Sequence, residues 1–527
     1  MEPSAPRLHP ITRLDAALAA LIGIASLALY VRTLAPGLLY GDSGELQTVV
    51  YSLGMTHPTG YPVYVLLGRF FTLLPIGNPA WRVNLFSAVL GALTVACVYL
   101  IVQMFSSWRL AAVTAAVTLA IAPLFWYFSV IAELYIPACA FLSGVILFLL
   151  LWRQTGKWPW LAASALLGGL SLGVHSSVAL AAPGVLVYLA LTVRSRKGWL
   201  AAIGGALAGT VLAFVAFLTL DARNPDAGYY HATVEPSLSV WGMAVADFDS
   251  PFERLRFLYA AKQFNYAMFA DPARTMPSIA GIYYEVLGMI FTPLSLILLG
   301  VGAFASFIHR WREALLLLLG WGVQMVFITN YDIFDVVVFF VPTFVFLAIW
   351  IGIGLGLLIQ ALNWGMKQFR IEKWVTPSAL LLGAIILGLT VGNWACMAAE
   401  AWEGRAVVFL RGTEFNDYPL PLDNPNATYL EAQYITGAVE ENAIVFLGWD
   451  LLFPCYYVAH VLQGRVEMDF HETFPQDDSQ VFAESAIAYI EANLDSRPIY
   501  FSERLSILAT RYKIKPSASG LYRIERK

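Results

Sequence analysis

The chain has 527 residues, 59% of them hydrophobic and 13% charged, and its mean hydropathy of +0.66 lies outside the range of soluble globular proteins. A net charge of −4 without a dense basic block argues against a nucleic-acid partner, and the four cysteines lack the spacing of a metal site. What remains is a mostly α, polytopic helical membrane protein.

In chain order, a basic N-terminal stretch precedes an apolar run over 14–34 that ends without a cleavage motif, so it reads as a retained span. Further runs that approach or exceed the roughly 20 residues needed to cross a bilayer fall at 84–105, 110–128, 134–152, 158–174, 177–193, 199–220, 279–308, 313–329, 336–362 and 375–397, giving eleven predicted spans. Arg109, Arg153, Lys157, Arg194, Arg196, Lys197, Arg310, Arg312, Lys367, Arg370 and Lys373 all fall in alternate turns, whereas the turns around Glu133, His175 and Asp332 carry no Lys or Arg. That asymmetry predicts a plasma-membrane protein with a cytoplasmic N-terminus and an extracytoplasmic C-terminus. The membrane part then covers 1–397, with a first external loop at 36–83 and a second at 221–278. Residues 398–527 turn mixed-polar, and AIVFLG, RVEMDF, RPIYF and GLYRIER alternate with helical stretches, which predicts a small extracytoplasmic α/β domain. Of the cysteines, only Cys396 and Cys455 fall where an oxidising compartment would let them pair.

The first external loop carries the strongest chemical signal. Asp42, Glu45, His57, Arg69 and Arg82 gather beside a membrane boundary, where unpaired charge is costly and usually functional. Leu46, Val49, Val50 and Leu53 share one helical face, and Gly54 stands where a helix stops, predicting a short helix along the membrane surface. Asp42 as N-cap with Glu45 three residues on is equally a capping box that needs no catalysis, so both readings stand. The run from Val63 to Leu74 is too short to span and predicts an interfacial or re-entrant helix.

Elsewhere, Glu133 in AELYIPA reads as a sugar ligand or a helix-start acid, and His175 in LGVHSS as a phosphate ligand or a hydrogen-bonded turn residue. Asp332 and Asp335 lead into a span with Pro342 inside it, which predicts a proline kink. Carboxylates, histidines and arginines at one interface, against an apolar body, suit group transfer from a lipid-linked phosphate: a carboxylate takes a proton and cations neutralise the leaving phosphate. No P-loop, HExxH or GxSxG is present.

GDSGEL, HPTGYP and GNPAWRVNLFSA, supported by AELYIPA, LGVHSS and YDIFDVVVFFVPTF, together resemble the GT-C class of polytopic glycosyltransferases, in its protein O-mannosyltransferase-like branch. The resemblance covers most of the membrane part. It implies transfer of a sugar, mannose in that branch, from a polyprenyl-phosphate donor to a protein or glycan acceptor on the extracytoplasmic side, with no cofactor and no metal site. The class uses an acid of the first external loop in catalysis, which falls by position on Asp42, with Glu45 the close rival. An HP-containing stretch follows that acid in many members and matches His57 and Pro58, although a threonine stands here where a second proline is common. His57, Arg69, Arg82 and His175 are then the expected phosphate ligands, and Glu133, Asp332 and Asp335 further substrate ligands. A secondary transporter and a noncatalytic polyprenyl-lipid-binding protein are the rival readings; the charges gather at one interface and no inverted repeat is evident, which weighs against the first.

Overall fold

The structure is a computed structural model describing residues 8–402, 426–475, 481–517 and 520–527. The stretch 403–425, where the predicted external domain begins, lies outside the described residues. The chain is a multi-pass membrane protein. Among the described residues, seven helices are long and apolar enough to cross a membrane, or eight if one bent pair counts as a span. These include α1 (Arg13–Arg32), α4 (Pro79–Phe105), α7 (Tyr135–Thr155) and α10 (Arg196–Asp221), with α2 (Gly41–Ser52) and α3 (Pro62–Thr72) between the first two. The bent pair is α5 (Arg109–Ala120) with α6 (Pro123–Ser129), which meet at 65° where Pro123 ends the hydrogen-bond ladder. The predicted count of eleven does not carry over unchanged. The two runs flanking His175 become α8 (Trp158–Leu170) and, after a 3-10 turn, α9 (Ala182–Thr192), each short for a crossing.

The second half departs further. The loop after α10 holds a single turn, α11 (Glu235–Ser237), and α12 (Pro251–Tyr259). The predicted span 279–308 is two helices, α13 (Pro272–Ile290) and α14 (Pro293–Ile328), divided where Phe291 turns extended and Pro293 starts anew. The 36-residue α14 is itself broken at Arg310 (φ −147°, ψ 53°). In an unbroken helix Gly302 and Trp321 would lie roughly 28 Å apart. Both nonetheless reach Trp350 of α15 (Thr343–Gln368): Gly302 abuts its carbonyl, and the two indole rings are 6.0 Å apart. The chain therefore doubles back at Arg310. Pro342 is the N-cap of α15 and not a kink within it, because 3-10 turns occupy Val336–Phe340 before it. Helix α16 (Val375–Trp402) closes the membrane part and runs past the predicted boundary at 397.

The C-terminal region contains α17 (Ala427–Gly437), β1 (Ile444–Leu447), α18 (Trp449–Tyr456), β2 (Asp469–Glu472), α19 (Glu484–Asn493), β3 (Ile499–Phe501), α20 (Ser506–Arg511), β4 (Tyr512–Pro516) and β5 (Tyr522–Arg526). The strands form one sheet in the order β2-β1-β3-β5-β4, parallel across β2, β1 and β3 and antiparallel beyond. Edge strand β4 was hidden from the sequence because YKIKP, lysine-studded and mostly solvent-facing, lacks a buried alternation. Cys396 and Cys455 are free thiols, the first exposed and the second buried, so the expected pairing does not form.

Helix α2 is not a surface helix. It is buried from Ser43 to Val50 between α3, α4 and α18. Gly44 permits the approach of α18, since a Cβ there would meet the Leu39 carbonyl at 2.5 Å and Pro454 at 3.0 Å. Thr48 donates its hydroxyl to the Phe453 carbonyl at 3.0 Å across that contact. One apolar core, including Leu46, Val49, Tyr64, Tyr229, Leu452 and Phe470, runs from α2 and α3 into the C-terminal sheet.

Candidate active site

Where the heads of the helices meet the C-terminal region lies a cavity of about 960 Å³. Its polar lining includes Tyr40, Asp42 and Ser43 at the start of α2, His57 and Tyr61 in the turn before α3, and Thr428, Trp449, Asp450 and Glu472 from the C-terminal region. Its apolar lining includes Phe128, Ile131, Phe334, Val338 and Phe339, with Tyr127 and Tyr135. Six carboxyl groups line it, those of Asp42, Glu133, Asp332, Asp335, Asp450 and Glu472; among the described lining residues there is no Lys or Arg.

Asp42 is placed by backbone and by a distant partner. Tyr40 is the N-cap of α2 and no side chain caps the helix, so the capping-box reading does not apply. Gly41 takes φ +58°, turning the chain into the helix. The Asp42 Oδ1 atom accepts a hydrogen bond from the Trp449 indole Nε1 at 2.8 Å. That is its one hydrogen bond among the described residues, which leaves Oδ2 uncommitted.

Glu45 does not meet the cavity. It is wholly buried beneath His57, with Oε1 accepting from the His57 backbone N–H at 2.7 Å and Oε2 facing Nδ1 at 2.5 Å. The structure thus places Glu45 behind His57 and not among the cavity-lining residues. Burial opposes charge on His57, but Glu45, Asp42 and Glu133 outweigh it and push its pKa up to about 9, so the ring is an imidazolium at neutral pH. Burial pushes Glu133 well above the usual carboxylate range, and Asp42 and Asp335 add to the effect. Asp450 is likewise raised by burial, with Asp42 and Glu431 contributing.

The remaining predicted residues divide. Asp332 and Asp335 line the cavity, Asp332 paired with Arg274. His175 lies behind the wall, stacked under Tyr61 at 5.5 Å and edge-on to Tyr135 at 4.9 Å. It caps the 3-10 turn Ser176–Ala181, accepting from the Ser177 N–H at 3.2 Å. Burial and the charge on His57 lower its pKa to about 3, and it is not among the residues lining the cavity. Arg69 and Arg82 are also away from the cavity, their guanidinium groups already engaged with carbonyls. Arg69 bonds the Tyr51 carbonyl at 2.7 Å, and Arg82 bonds those of Thr72, Ile76 and Gly77 at 2.6, 2.6 and 2.9 Å.

Sequence reasoning missed Thr428, Trp449, Asp450 and Glu472. A signal for two of them was present: Trp449 and Glu472 sit at the carboxyl ends of the parallel strands β1 and β2, where α/β sheets present binding groups. Among the described residues no group of three or more His, Cys, Asp or Glu is arranged to hold a metal ion.

The fold defines the class. Over 97% of this chain and 98% of the other, it matches the crystal structure of ArnT from Cupriavidus metallidurans bound to undecaprenyl phosphate, with a TM-score of 0.55 at 14% identity. This chain thus has the fold of a GT-C membrane protein. Residues 42–199 match the family model described as the protein O-mannosyl-transferase TMEM260 N-terminal domain. The mouse protein O-mannosyl-transferase TMEM260 is 37% identical over 109 residues, 20% of this chain, and the Dictyostelium discoideum protein of that name is 27% identical over 135 residues, 25% of this chain. In each case the match spans 16% of the relative's length.

Proposed function

We propose that the protein is an inverting membrane glycosyltransferase that moves a sugar, mannose by likeness to the relatives above, from a polyprenyl-phosphate donor to an acceptor hydroxyl such as that of a protein Ser or Thr. The observation that carries the reading is Asp42, a carboxylate with one oxygen held and one uncommitted on the wall of a cavity lined by both polar and apolar groups. The apolar lining suits the first isoprenoid units, and the undecaprenyl phosphate bound to ArnT supports that use.

In the proposed reaction Oδ2 of Asp42 accepts the proton of the acceptor hydroxyl as that oxygen bonds to the anomeric carbon. The bond from that carbon to the phosphate oxygen breaks on the opposite face, and its electron pair leaves with the polyprenyl phosphate. The His57 imidazolium balances the phosphate charge, and Glu45 holds His57 in place. Glu133, whose pKa burial raises, donates to a sugar hydroxyl in its protonated form; Asp335 and Asp332 accept from others. The distribution of basic residues supports an extracytoplasmic cavity in the plasma membrane. In this reading residues 1–397 form the membrane module and those from 398 an extracytoplasmic domain.

The test is to incubate the purified protein in detergent with a panel of polyprenyl-phosphate sugars and detect which is consumed. Asp42→Asn should leave donor binding intact and remove turnover. Near-normal transfer by that variant would remove Asp42 from the reaction.

A further inference from the structure

We infer that Trp449, in the C-terminal region, is a positioning residue for Asp42, so that this region is an integral part of the catalytic site. The inference rests on the proposed function, because it concerns how Asp42 performs its part.

The geometry is specific. The only hydrogen-bond partner of the Asp42 side chain among the described residues is the Trp449 indole N–H, 2.8 Å from Oδ1. An indole nitrogen donates only, so this bond fixes which oxygen is engaged and leaves the other free to receive a proton. Without it, a carboxylate on the first turn of a helix can rotate between staggered positions, most of which point away from an incoming hydroxyl.

Trp449 is itself held on several sides. Its ring is edge-on to His57 at 5.9 Å, to Tyr229 at 6.4 Å and to Phe453 at 5.2 Å. It opens α18 directly after β1, and α18 is seated on α2 by Gly44 and by the bond from Thr48 to the Phe453 carbonyl. The residue that holds Asp42 is thus anchored to the same helix that carries Asp42.

The test uses the full-length protein in detergent with the polyprenyl-phosphate sugar that it consumes. Trp449→Phe keeps an aromatic side chain, though a smaller one, and removes the donor. It should lower kcat about 10–100-fold and leave the donor KM within about twofold. Should that variant fold poorly, benzothienylalanine at 449, which replaces the N–H by sulfur in the same shape, should give the same kinetic loss. In an Asp42→Asn background either replacement should change the residual rate less than about twofold, because the group being positioned is gone. Unchanged kcat in both replacements, or an equal loss with and without the Asp42 carboxylate, would overturn the inference while the proposed function stands. Full turnover by Asp42→Asn would overturn both.

Discussion

At the end of the bundle away from the cavity, Asp15 is wholly buried and accepts hydrogen bonds from Thr12 at 2.6 Å and Arg109 at 2.6 Å, while Glu313 accepts from Tyr188 at 3.0 Å. At the cavity end Glu133 is also buried, and six carboxyl groups share one lining with the His57 ring, Asp332 alone among them being paired with an arginine, Arg274. The first arrangement sets its acids against an arginine and a tyrosine; the second gathers acids beside one another on the wall of a cavity. A buried acid with an arginine against it holds helices together, whereas a buried acid whose nearest charged neighbours are other acids is poised for proton exchange or for binding hydroxyls.

This contrast can be broken or sharpened by substitution. The largest effect is expected from Asp42→Asn, with kcat falling about 10³-fold, some 4 kcal/mol of transition-state stabilisation, at an unchanged melting temperature. Next comes the clamp on His57. Its pKa is raised to about 9, so it is charged below that value and loses its charge as pH rises through it. In the native protein the donor KM should climb about tenfold only above pH 9. In Glu45→Gln, with the main raising charge removed, the climb should begin near the ordinary histidine range of about 6.5, and KM measured from pH 6 to 10 separates the two curves. At the opposite end, Arg109→Ala should destabilise the fold by leaving Asp15 short of a partner, read as a lower melting temperature with kcat unaltered. The smallest effect is expected from Arg82→Ala. It loses three bonds to backbone carbonyls in a partly exposed turn, about 1 kcal/mol, and its donor KM should not move.

Much of the membrane part was legible because a bilayer demands long apolar helices, and this demand shows directly in composition. Asp42 and His57 were legible for the same reason, as charges where charge is expensive. Arg69, Arg82 and His175 carried the same signal, yet they serve carbonyls and a turn. Sequence marks a costly charge without saying whether it faces a cavity or the protein's own backbone. The break at Arg310 was obscured because the apolar run continues on both sides of it. Trp449 was beyond reach altogether, since its partner lies 407 positions away and no local pattern couples the two.

That separation bears on biosynthesis. Helices α1 to α4 emerge from the ribosome and enter the bilayer early, carrying Asp42 with them, but the indole that steadies its carboxylate is translated only after hundreds of further residues. A nascent or prematurely ended chain holds every membrane-embedded acid and still lacks this bond, so the lipid-linked sugar would meet a properly set Asp42 only once synthesis has passed Trp449.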